Sequence, residues 1–155
     1  MGRRETDAIG VLRGRIGPLQ GFVEMDREAG RGSVSMRIDM SQVDTGMSFF
    51  DQRLRQDDLL GTATYPVAYY VSSKFDFDGP VLKAVRGEIT WRGVNQGLTL
   101  QALHFSCRND ARLQREVCGG DFEAELKRSD FGIGFGLPFV ANPVRLVVQV
   151  EGIRQ

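Results

Sequence analysis

The chain has 155 residues, 41% of them hydrophobic and 26% charged, which suits one packed domain and excludes a disordered chain. Twenty basic residues balance twenty acidic ones, so no net positive field exists to hold a nucleic-acid backbone, and no basic stripe with interleaved aromatics marks one. No apolar run approaches the roughly 18 residues of a membrane span, and the opening MGRRETDAIG carries charge without the apolar stretch of a signal peptide.

The 19 glycines are spread between short apolar runs, as expected of an all-β chain whose many turns need positive φ. The first strand is expected near 20–26. In SVSMRIDM, Val34, Met36, Ile38 and Met40 face one way, with Ser33, Ser35, Arg37 and Asp39 opposite. The segment SFFDQRLRQDDLL breaks this rhythm and predicts a short helix over 48–60, with Phe50 and Leu54 four residues apart. Ser48-x-x-Asp51 resembles a capping box and Gly61 can end the helix. Such a helix either plugs one end of a barrel or covers a cavity as a lid. Strands follow over roughly 65–76, 81–92 and 97–106. Cys107 and Cys118 then bracket the polar segment RNDARLQREV. A disulfide there, across neighbouring strand ends, would contribute about 3 kcal/mol by chain entropy and imply an oxidising compartment. The alternatives, a metal pair or a redox switch, lack further ligands or a C-x-x-C spacing. DFEAELKR sets Phe122, Ala124 and Leu126 against Glu123, Glu125 and Lys127. VRLVVQVE sets Val144, Leu146, Val148 and Val150 against Arg145, Gln149 and Glu151, with Val147 out of pattern. Period-two alternation of this kind marks half-buried antiparallel strands, and the lack of long helical stretches argues against a parallel sheet.

RSDFGIGFG, at 128–136, imitates a nucleotide-binding loop. A phosphate loop needs a strand before it and a helix N-terminus after it. Here Pro138, Asn142 and Pro143 follow, then another strand, and no Walker lysine closes the pattern. The glycines therefore serve a sharp bend before the last strand, with Phe131, Phe135 and Phe139 packing on an apolar surface. Catalytic constellations are equally scarce. His104 is the only histidine, too few for a zinc site, and no G-x-S-x-G elbow occurs. Asp57 and Asp58 are adjacent and do not share a helix face. No catalytic residue, metal ligand or cofactor is assigned.

Four motifs, in order, resemble the YceI-like family over about residues 14–152. VDTGMSFFDQRLRQDDLL is similar to the family's strand exit and following helix at Asp44, Thr45, Gly46, Asp51, Leu54 and Asp58. YPVAYYVSS matches at Pro66, Tyr70 and Ser72, with Tyr where Phe is usual. VRGEITWRGV matches at Gly87, Thr90, Arg92 and Gly93, with Ile89 for Leu, and RSDFGI matches the signature near the last strand. The cysteine pair resembles one branch of the family. This resemblance implies a lipocalin-like antiparallel barrel of about eight strands, without catalytic chemistry, in a periplasmic or secreted bacterial protein. It also implies a lumen that holds a long apolar chain: a polyisoprenoid, an isoprenoid quinone or a similar lipid. The alternating pattern supplies an inward set for such a lumen: Met36, Ile38, Met40, Tyr70, Ile89, Trp91, Phe122, Ala124, Leu126, Leu146 and Val148, joined by Phe50 and Phe131. Tyr70 and Trp91 could add a polar contact to a head group. An enzyme acting on a bound lipid would instead show polar residues deep in the barrel, and an interaction module would show a solid core. The family's first strand is expected to be missing before MGRRETDAIG, leaving an open edge that favours a homodimer.

Overall fold

A computed structural model describes residues 2–6, 10–16, 19–135 and 140–154. These form nine strands: β1 Gly2–Thr6, β2 Gly10–Gly14, β3 Leu19–Asp26, β4 Arg31–Asp39, β5 Val67–Asp78, β6 Val81–Trp91, β7 Val94–Asp110, β8 Arg115–Lys127 and β9 Val140–Ile153. Helix α1, Ser48–Leu54, lies between β4 and β5, and a 3₁₀ turn, Arg128–Phe131, precedes β9. One antiparallel sheet contains them all, in the order β2-β1-β9-β8-β7-β6-β5-β4-β3. The chain's first residues, expected to begin after a lost strand, thus supply a strand beside β9 and another outside it.

Connectivity forces this sheet to curl. β2 and β3 stand at its opposite edges but are consecutive in the chain. From Gly14 to Leu19 the backbone can reach at most about 18 Å, whereas the edges of a flat sheet of this order would lie about 38 Å apart. The sheet must bend round until its edges approach. An isolated bridge, Arg15 to Asp44, fastens the connection to the segment after β4. Among the described residues no ladder joins β2 to β3, so the result is a curled half-barrel. β3 remains an exposed edge, with Phe22 and Val23 both open to solvent.

Two local expectations are corrected. The helix over 48–60 stops at Leu54. Its capping box does not form, because the Asp51 carboxylate accepts instead from the Thr45 N–H and hydroxyl, each at 2.7 Å. Irregular turns carry the chain on to Gly61, whose φ of 59° turns it toward β5. The cysteine segment is also tighter than a loop between strand ends. β7 and β8 run into it and meet in a four-residue turn at 111–114, where the Asp110 carboxylate accepts from Arg112 and Leu113 N–H groups. Cys107 and Cys118 are therefore direct cross-strand partners within the ladder, joined as a disulfide.

Candidate ligand-binding lumen

Register places the apolar residues of β4 to β9 on the concave side. Met36, Tyr70 and Ile89 form one row across β4, β5 and β6. Ala102, Phe122 and Val148 form another across β7, β8 and β9, beside a row of Ala124 and Leu146. Of the expected inward set, Met40, Tyr70, Ile89, Trp91, Phe122, Ala124 and Phe131 belong to the buried cluster. Met36, Ile38, Leu126, Leu146 and Val148 pack against that cluster but are only partly buried. The same face includes residues outside that expected inward set: Leu98, Leu100, Ala102, Phe105 and Val150. The alternation of Leu98, Leu100 and Ala102 in GLTLQAL was the available signal.

Phe50 does not join them. It is 38% exposed on α1, with its ring edge-on to the still more exposed Phe49. Leu54 and Leu59 take the inner side instead.

Tyr70 is also reassigned. Its hydroxyl donates to the Leu98 carbonyl at 2.8 Å, with the Val85 carbonyl at 3.3 Å, so it is occupied by backbone and not open to a head group. It reaches β7 by crossing over Gly87, where a Cβ would stand 2.6 Å from the hydroxyl oxygen. Burial pushes the hydroxyl above its ordinary range, which keeps it a neutral donor.

Arginines close one end of the barrel. Arg92 follows β6 and holds three backbone carbonyls: Phe131 through Nε, and Asp57 and Leu59 through Nη1. Its guanidinium also lies 5.2 Å from the Tyr65 ring centroid. Arg55 holds the carbonyls of Ser41 and Val43. Arg128 is buried and donates to the Phe135 carbonyl, and burial lowers its proton affinity. Arg53 makes a two-pronged pair with Asp58 and lies over the Phe135 ring. Together they tie α1, the turns to Tyr65 and the 3₁₀ turn into a plug. Phe131 reaches in from that plug and its ring lies 5.5 Å from that of Trp91.

The glycine-rich stretch belongs to this plug, as bend chemistry and not as a nucleotide site. Gly132 has φ 76° and closes the 3₁₀ turn; Phe131 is buried and Phe135 half exposed, while Gly136 and Phe139 lie outside the described residues. The other end of the barrel carries the Cys107–Cys118 disulfide and an ion pair of 2.8 Å between Arg27, in the β3–β4 turn, and Glu116 of β8. His104 is exposed on the convex face opposite Asp121. With Gln149 and Glu151 it borders a shallow cleft of about 370 Å³ over Gly119 and Gly120, on the face away from the apolar rows.

A curled antiparallel sheet with an apolar concave face and a plugged end is a lipocalin-like β-barrel framework. Residues 4–152 match the YceI-like domain, and the chain belongs to that family. It is 31% identical over 134 residues to Protein YceI of Escherichia coli O157:H7, an alignment covering 86% of this chain and 69% of that protein. Its fold is similar to the YceI protein of Campylobacter jejuni, with a TM-score of 0.78 at 19% identity over 95% of this chain and 87% of that one. It is also similar to a polyisoprenoid binding domain from Saccharophagus degradans, with a TM-score of 0.62 at 20% identity over 97% and 90% of the two chains.

Proposed function

We propose that this chain binds and carries a long apolar ligand in the barrel lumen, without transforming it. The ligand class is a polyisoprenoid, an isoprenoid quinone or a related lipid. One observation carries the reading: inward-facing Met36, Ile38, Leu126, Leu146 and Val148 pack on the core yet keep solvent-accessible surface. A solid core would bury them, since interiors pack to crystal-like density. A lipid site needs an apolar concave lining with few polar anchors, and methionines at positions 36 and 40 suit a flexible tail. The family and the polyisoprenoid-binding domain of similar fold support the ligand class. The disulfide supports an exported, oxidising location.

Fluorescence tests the proposal directly, because Trp91 is the only tryptophan and lies in this cluster. Titration with a long-chain isoprenoid quinone should quench it saturably. Failure of isoprenoids, quinones and fatty acyl chains alike to saturate would overturn the binding role.

A further inference from the structure

Among the described residues, two buried side-chain nitrogens have no hydrogen-bond partner, Arg145 Nε and Trp91 Nε1, and only the first is ion-paired. Tyr70 spends its hydroxyl on the Leu98 carbonyl. Arg92 donates to the carbonyls of Phe131 and Leu59, and Arg128 to that of Phe135. Arg145 is paired with Glu123 across β8 and β9. Trp91 is 5% exposed, and its Nε1–H has no acceptor. A buried donor left in this state is destabilising and calls for an absent water, ion or ligand.

The surroundings discriminate among these. Trp91 is the last residue of β6, directly beneath the plug, with the Phe131 ring against it and Val94 as its cross-strand partner. A trapped water needs two to four polar partners, and these neighbours offer apolar surface. An anion would face one neutral N–H here, since the Arg92 and Arg128 contacts above are directed to backbone carbonyls, and an anion so poorly compensated is costly to bury. A neutral oxygen acceptor on an otherwise apolar molecule meets the requirement with a single hydrogen bond.

We infer that the Trp91 Nε1–H is the ligand's polar anchor, donating to a neutral oxygen (a quinone carbonyl or a hydroxyl) at the plugged end of the lumen. The head then enters first and the tail runs back along Ile38, Leu126, Leu146 and Val148 toward the end that carries the disulfide. This rests on the lipid-binding reading above and adds ligand polarity and orientation to it.

The single tryptophan provides a single indole ¹H–¹⁵N resonance in the full chain. Three probes of matched tail are compared: an isoprenoid quinone, a prenyl hydrocarbon without oxygen, and a prenyl phosphate. The quinone should move the indole proton downfield, and the hydrocarbon should bind without that shift. By calorimetry, Trp91→Phe should weaken quinone binding about tenfold, the worth of one hydrogen bond, and leave hydrocarbon affinity within about twofold. An indole proton unmoved by bound quinone overturns the inference while leaving the lumen reading intact. So does equal weakening of quinone and hydrocarbon in a folded Trp91→Phe variant, or a phosphate that binds more tightly than the quinone while shifting the same resonance. If Trp91→Phe fails to fold, the resonance of the unmutated chain decides alone. If none of the three probes binds, the lumen reading falls and the inference with it.

Discussion

Replacing Gly87 by alanine would place a methyl group 2.5 Å from the Val71 carbonyl oxygen, 2.6 Å from the Tyr70 hydroxyl oxygen and 2.7 Å from its Cζ. Ordinary van der Waals contact begins near 3.4 Å, so the Tyr70 tip must retreat by most of an ångström. It has nowhere to go, being 1% exposed and tethered to the Leu98 carbonyl at 2.8 Å. Overpacking of this kind costs about 1–3 kcal/mol, and loss of the hydroxyl's bond adds about 1 kcal/mol. The sum, about 2–4 kcal/mol, corresponds at this chain length to a melting temperature lower by roughly 5–15 °C. Thermal unfolding followed by circular dichroism measures it. Gly97→Ala is the internal control, since a Cβ there meets nothing within 4 Å; its melting point should stay within about 2 °C of the parent. Tyr70→Phe should reduce the penalty of Gly87→Ala without abolishing it, because the Val71 carbonyl still obstructs the methyl. A Gly87→Ala melting point within about 2 °C of the parent would refute the claim that glycine is required for this crossing.

Three other outcomes follow from the geometry. Thiol labelling of unreduced, denatured protein should find almost no free cysteine, and reduction or Cys107→Ala should cost about 3 kcal/mol for a loop of this length; two reactive thiols would remove the disulfide. Asp51 is held below the ordinary carboxylate range, first by the Thr45 hydroxyl and then by the Thr45 N–H. Its contribution is therefore present above the unfolded carboxylate value of about 3.9 and lost as pH falls through the lower folded value. Melting temperature against pH should fall less steeply below about pH 4 in Asp51→Asn, and identical slopes would contradict this. Arg92→Ala frees the carbonyls of Phe131, Asp57 and Leu59; a loss of about 1.5–3 kcal/mol, with faster amide exchange over 57–61 than over β6 and β7, is expected, and uniform exchange would argue against a plug held by this side chain.

The strands were legible in the sequence because a half-buried sheet writes its two faces directly into alternate residues. Val34 to Met40, Phe122 to Leu126 and Val144 to Val150 all show it. The plug was not legible. Arginines are read from sequence as solvated charges, whereas Arg55, Arg92 and Arg128 each reach backbone carbonyls elsewhere in the chain. Helix α1 is shorter than its spacing predicts for a related reason. Asp51 has the spacing of a cap, but Thr45 offers it two donors, and that competition is decided by the path of the intervening chain. Phe50 sits beside Phe49 on the exposed side of α1, which its spacing to Leu54 does not reveal. The Tyr70 crossing depends on register among three strands at Gly87 and Leu98, which no local window contains.

Mass spectrometry of the purified protein, native and after organic extraction, tests the central claim most directly. Binding in the lumen predicts a near-stoichiometric long-chain isoprenoid or related lipid in the extract, and a native mass that falls by that ligand's mass on delipidation. Delipidated protein should then regain the same mass increment when incubated with the extract. An extract without lipid, from a folded protein whose native mass equals that of the chain and which takes up no isoprenoid, quinone or acyl chain, would contradict it.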